Sequence, residues 1–131
     1  MSRAWPITLV WALVLLGATG SASAQTLSPA EEAERTRLFQ QGRKLVDEGR
    51  WADAAGPFRR VIEMRSAPKA LIALAVVERE LRHYVEARSL LLRAKQDAER
   101  EGLADDAAQA EKELAALVPL IPRVKLTVWE N

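Results

Sequence analysis

The chain has no cysteine. That excludes a disulfide framework, a thiolate metal site and a lipid-modified cysteine behind a leader. An exported chain of this size without disulfides must stand on its apolar core. Histidine is almost as scarce. His83 stands alone, in a predicted turn beside Tyr84, and reads as a surface residue. Without cysteine or a second histidine, zinc sites of the common kinds cannot be assembled. There is no glycine-rich phosphate loop and no G-x-G-x-x-G. Ser89 falls in mid-helix with none of the cues of a nucleophile elbow. Neither sign of charge dominates. Once Arg3 is set aside, 18 Lys and Arg face 18 Asp and Glu. Both nucleic acid and anionic membrane select for clustered basic surface, and this balance offers none.

The acidic and basic runs have structural readings. Asp105-Asp106 stands at a predicted helix start, where capping and the helix dipole account for it. Glu78-Arg79-Glu80 and Arg59-Arg60 read as solvated faces. Paired carboxylates for glycoside hydrolysis would need a deep cleft, which nothing in the pattern suggests. No catalytic residue, metal ligand or cofactor is therefore expected, and the chain reads as a non-enzyme.

The first 24 residues stand apart. Arg3 is the only charge before Glu31, and Ile7 to Leu16 is nearly all apolar. Gly17, Thr19 and Gly20 interrupt that run, and Ala22-Ser23-Ala24 comes next. A positive start, an apolar core of about ten residues and an A-x-A exit describe a secretory signal peptide. Cleavage is expected between Ala24 and Gln25, which places the mature chain in the periplasm or outside the cell. A membrane span takes about 20 apolar residues, and this run is shorter.

Helical signals fill most of the chain after Ala24. Ser28-Pro29-Ala30-Glu31 combines a capping serine, a proline suited to the first helical position and the glutamate of a capping box. The helix it opens should run to Glu48 and stop at Gly49. A second is expected from Trp51 to Met64, with Pro57 in its early turns. Ser66-Ala67-Pro68 opens a third, and Arg82-His83 turns into a fourth that Gly102 ends. Asp105 is expected to cap a fifth carrying Ala110, Leu114 and Leu117, stopped by Pro119 and Pro122. Turns of a few residues force neighbouring helices to pack antiparallel. After Pro122 the pattern changes. Val124, Leu126 and Val128 alternate with Lys125, Thr127 and Trp129, which is strand periodicity. The expected organisation is a leader over 1–24, a helical domain over 25–120 and a strand or tail over 121–131.

The strongest pattern is a recurrence. Leu38, Gly42, Trp51, Ala54 and Phe58 return 33 residues later as Leu71, Ala75, Tyr84, Ala87 and Leu91. Large residues separated by tiny ones at a period near 34 are the mark of stacked helix-turn-helix units. These residues resemble a pair of tetratricopeptide repeats, over about residues 35–101, with 103–118 as a capping helix. The departures are Glu78, where an aromatic or leucine is usual, Arg82, where a turn glycine is usual, and the proline, which comes two residues late at Pro68 and is absent after the second unit. The layout also resembles exported repeat proteins of myxobacteria and their relatives. The residues that carry this are Leu38-Phe39-Gln40-Gln41-Gly42-Arg43-Lys44-Leu45 and Ile121-Pro122-Arg123-Val124-Lys125-Leu126-Thr127-Val128. The resemblance implies an all-α fold of two repeat units plus a capping helix, with a short C-terminal β segment.

Stacked units of this kind curve, and the first helix of each lines the concave side. The resemblance places Thr36, Phe39, Arg43 and Val46 there from the first unit, and Lys69, Ile72, Val76 and Arg79 from the second. Apolar side chains flanked by Arg and Lys suit an extended or helical peptide of acidic character. The expected role is an exported interaction module with a protein or peptide partner, no nucleic acid, and no membrane contact once the leader is gone. Three alternatives stay open at this point: a self-assembling scaffold, a membrane-tethered one, and a remnant of a larger repeat-plus-β protein.

Overall fold

The computed structural model describes residues 26–123, and these fold as five helices and a short terminal turn. In order they are α1 (Pro29–Asp47), α2 (Trp51–Met64), α3 (Pro68–Glu80), α4 (Tyr84–Glu101), α5 (Ala104–Leu117) and a 3-10 turn at Val118–Leu120. The described part is all-α, as expected. Residues 1–25 and 124–131, with the leader, its cleavage point and the predicted strand, lie outside the described residues.

Local chemistry accounts for the starts and stops. The Ser28 hydroxyl accepts from the Glu31 amide at 3.3 Å, and the Glu31 carboxylate accepts from the Ser28 amide at 2.8 Å. The capping box therefore closes in both directions. These bonds hold the Glu31 carboxyl below the usual carboxylate range, the backbone amide of Ser28 acting most strongly. Three helices end the same way. The amides of Arg50, His83 and Leu103 reach back to the carbonyls of Leu45, Glu78 and Ala98, each at 2.8 Å. That closure needs a left-handed residue just before. Gly49 and Gly102 supply it at φ 70° and 73°, and Arg82 is forced into it at φ 64°. The two expected helix-start residues further on behave differently. Asp105 does not cap α5. Leu103 holds the cap position without a side-chain bond, and Asp105 sits inside the first turn, where only the dipole rewards it. Ser66 does not cap α3 either. Its hydroxyl instead accepts from Arg93 Nη2 at 3.1 Å, tying the α2–α3 turn to α4.

Packing runs between consecutive helices, and α5 additionally meets α3. The third helix is the centre. It buries Ala70, Leu71, Ile72, Leu74, Ala75, Val77 and Glu78, which cover more than half of its circumference. One side of α3 joins Ala54, Ala55 and Phe58 of α2, with Phe39, Leu45 and Val46 of α1 packed over them. The other side joins Ala87, Leu91 and Ala94 of α4 with Ala110 and Leu117 of α5. Ile62 and Leu90 touch both clusters, so the core is continuous. Phe58, Leu71, Val77 and Leu117 are essentially sealed from water, worth about 1.5–3 kcal/mol each.

The tiny positions of the recurrence do what their size allows. A Cβ on Gly42 would lie 2.8 Å from Phe58 Cε1 and Cζ. Glycine is therefore what lets the α2 aromatic ring sit against the α1 backbone. In the second hairpin Ala75 and Leu91 share one cluster, a slightly larger small residue facing a slightly smaller large one.

Candidate functional site

The first helix of each hairpin and the fifth helix, α1, α3 and α5, contribute side chains to one trough. It consists of two adjoining concavities of about 410 and 610 Å³ that share Phe39, Lys69 and Asp106 as walls. The floor is apolar. Phe39 lies edge-on to Phe58, with ring centroids 5.5 Å apart and planes at 67°. Val46, Ile72 and Val76 extend that floor along α1 and α3. The spacing explains the placement: residues 39, 43 and 46 share one face of α1, and residues 69, 72 and 76 share one face of α3.

Seven of the eight residues expected on the concave side line this trough. Thr36 walls the smaller concavity; Arg43, Val46, Ile72 and Val76 wall the larger; Phe39 and Lys69 wall both. The Thr36 hydroxyl is already spent on the Glu32 carbonyl at 2.9 Å, so it offers shape rather than a free donor. Arg79 is not a wall. It is only 23% exposed and pairs with Glu113 of α5 at 2.7 Å, so it fastens α5 to α3.

The charge of the trough is mixed. Arg43 and Lys69 have no ionic partner among the described residues. Two carboxylates, Asp47 and Asp106, share the larger concavity with them, and Glu101 joins the smaller. The carboxylates dilute the pull on an acidic peptide that Arg43 and Lys69 suggest alone. Sequence reasoning missed the α5 contribution, Asp106 and Gln109. The signal was blurred because α4 runs 18 residues where α2 runs 14. That difference pushes α5 out of the 33-residue register.

A second polar constellation lies where three charged residues read as solvated. Glu78 is 1% exposed. Its carboxylate accepts from Arg59 Nη2 on α2, and its other oxygen lies 2.7 Å from His83 Nδ1. Both partners keep more than half their side-chain surface in water. The group knits α2, α3 and the α3–α4 turn together, and every buried polar side-chain atom among the described residues has a partner. Both oxygens of the Glu78 carboxylate are thereby engaged within the fold.

Among the described residues no cluster of His, Cys, Asp and Glu could hold a metal ion. No described helix is long and apolar enough to cross a membrane. The chain has no significant match among protein-family models, curated proteins or solved structures.

Proposed function

We propose that the chain is an exported interaction module of the bacterial cell envelope that holds a peptide or protein segment in the α1–α3–α5 trough. Its two hairpins are read as tetratricopeptide-like units with α5 as the cap. The observation that carries the reading is the trough itself. An apolar floor of Phe39, Val46, Ile72 and Val76 opens to solvent between two cations, Arg43 and Lys69. Elsewhere among the described residues, buried polar side chains are already satisfied internally. Ligand sites are typically apolar with a few convergent polar groups, and this trough has that make-up. Its carboxylates suit a segment carrying both signs, with an apolar stripe between them. The leader and its cleavage after Ala24 supply the location. No constellation in the trough suggests bond-making chemistry, so the role is binding.

A site-specific photo-crosslinker in place of Ile72, in cells of the source organism, tests this. It should capture one protein reproducibly, identifiable by mass spectrometry. Arg43→Glu with Lys69→Glu should abolish the adduct while the helical circular dichroism stays unchanged. An adduct indifferent to both charge reversals, or none against a crosslinker control on Glu86, would remove the trough as a binding site.

A further inference from the structure

The trough is not the sole exposed apolar feature among the described residues. Five large apolar side chains stand exposed among the described residues: Val85, Leu92, Leu103, Val118 and Leu120. Leu103 belongs to the trough. The other four lie on α4 and in the turn after α5. On α4, Val85, Leu92 and Lys95 fall on one side, at helical spacing. Glu111 and Leu114 of α5, with Val118 just past its end, do the same. The two stripes meet over a depression of about 330 Å³ whose walls include Arg88, Leu92, Lys95, Glu111, Leu114 and Val118. No described helix covers this side.

The ion pair between Lys95 Nζ and Glu111 Oε1, at 3.6 Å, fixes how the stripes align. The two helices run antiparallel across Gly102-Leu103. One turn further from that junction Leu92 comes level with Leu114, and one turn beyond them Arg88 comes level with Val118. The face is thus a ladder with a charged rung, Lys95 and Glu111, an apolar rung, Leu92 and Leu114, and at its far end Arg88 beside Val118. A two-fold axis lying in this face and parallel to the helices keeps every height and exchanges the two helices. It lays Leu92 of one copy over Leu114 of the other, and each Lys95 over a Glu111. At the Leu92–Leu114 and Lys95–Glu111 rungs the face is complementary to itself, which is the requirement of an isologous interface, and Arg88 lies at its far end, exposed, with its head group in water.

We infer that the α4–α5 face is a homodimer interface whose occupant is a second copy of this chain. Helices of 14 and 18 residues give a patch of about 20 by 20 Å per copy. Twice that area falls below the range of stable specific interfaces, so the dimer is a weak, transient one, with a dissociation constant on the order of tens of micromolar. The trough lies on another face and stays open in it, so the two readings stand or fall separately.

Sedimentation equilibrium of the exported, purified chain from about 5 to about 500 μM covers the expected range. The chain should pass from monomer to dimer with a dissociation constant in the tens of micromolar. Leu92→Glu and Lys95→Glu should each weaken it at least about tenfold, since buried like charges oppose association. Both positions are solvent-facing, so helical circular dichroism should be retained, and Val118→Lys gives an independent check. Combining Lys95→Glu with Glu111→Lys should restore the dimer, while Arg43→Glu in the trough should not touch it. A chain still monomeric at the highest concentration overturns the inference, as does a dimer indifferent to Leu92→Glu or a charge exchange that fails to rescue. Removing residues 124–131 should leave the dimer intact. Loss of the dimer would move the interface to that segment. A monomer that dimerises only after the removal would mean that the segment covers the face in its own copy. Either result overturns the assignment.

Discussion

Gly42→Ala is the sharpest test of how the two hairpins are built. In a helix the exchange normally stabilises by about 1 kcal/mol, because alanine restricts the unfolded chain. Here the new methyl would sit 2.8 Å from two ring carbons of Phe58. That ring is 1% exposed and cannot swing aside. Overpacking of this kind costs about 1–3 kcal/mol. The net expectation is a loss of about 1 kcal/mol, or a melting temperature roughly 4–8 °C lower for a domain of this size. The second hairpin suggests the rescue, because it has alanine and leucine at the matching positions, Ala75 and Leu91. In a Phe58→Leu background the clash is gone, so Gly42→Ala should become stabilising. Thermal denaturation of the four proteins of this cycle, followed by circular dichroism, reads the reversal of sign. An interaction energy of about 1–3 kcal/mol is expected for two residues in such contact. Gly42→Ala that stabilises the parent, or destabilises both backgrounds equally, would refute the account. Gly56 is no control, because its neighbour Pro57 disfavours a helical Cβ there.

The same pair shows what was legible in the sequence and why. Gly42 and Phe58 are 16 residues apart, as are Ala75 and Leu91, and all four do in space what their sizes implied. Helix existence was readable from Ser28 to Pro119, because capping box, glycine stops and 3.6-residue spacing agreed. What failed was anything set by a neighbour in space rather than in the chain. Asp105 looked like a cap, yet α5 begins at Ala104 because the reverse turn at Gly102 already orients that amide row. Glu78-Arg79-Glu80 looked solvated. Glu78 is instead sealed, since Arg59 and His83 arrive from other elements to satisfy it, and Arg79 is drawn to Glu113. The chain carries the charges of these pairs but no local sign that they meet.

The trough shows a similar division. Its α1 and α3 walls follow from residue spacing within each hairpin, so the two sets of apolar and basic side chains could be named in advance. The α5 wall depends on how far α4 runs before it turns. Four extra residues in α4 rotate and shift α5 relative to an ideal repeat, bringing Asp106 and Gln109 to the opening. They add a carboxylate and an amide to walls that α1 and α3 alone would make apolar and mostly basic.

Three further outcomes are expected. Arg82→Gly should raise the melting temperature, because a side chain at φ 64° carries a left-handed penalty of about 1 kcal/mol that glycine avoids; calorimetry showing no gain would mean that Arg82 makes a compensating contact. Glu31→Gln should destabilise at neutral pH and not in strong acid. The folded carboxyl titrates lower than the unfolded one, so its contribution is present above the ordinary glutamate range and is lost as pH falls through the folded value; a gap between the two melting curves that persists in acid would contradict this. The last concerns the buried carboxylate. Arg59→Ala strips Glu78 of one of its two partners and leaves a charge 1% exposed beside His83 alone. Breaking such a pair costs about 3–5 kcal/mol when fully buried. Arg59 is 55% exposed, and water screens the pair, so a smaller loss of about 1–2 kcal/mol applies. Glu78→Leu removes the charge itself, and the Arg59 and His83 side chains it releases are already in contact with water. Exchanging a buried pair for an apolar side chain of similar volume is often neutral. Urea denaturation should therefore rank Glu78→Leu as more stable than Arg59→Ala, although the first deletes the whole constellation and the second only one member. The opposite ranking would mean that the carboxylate holds α2, α3 and the turn together by more than its own satisfaction.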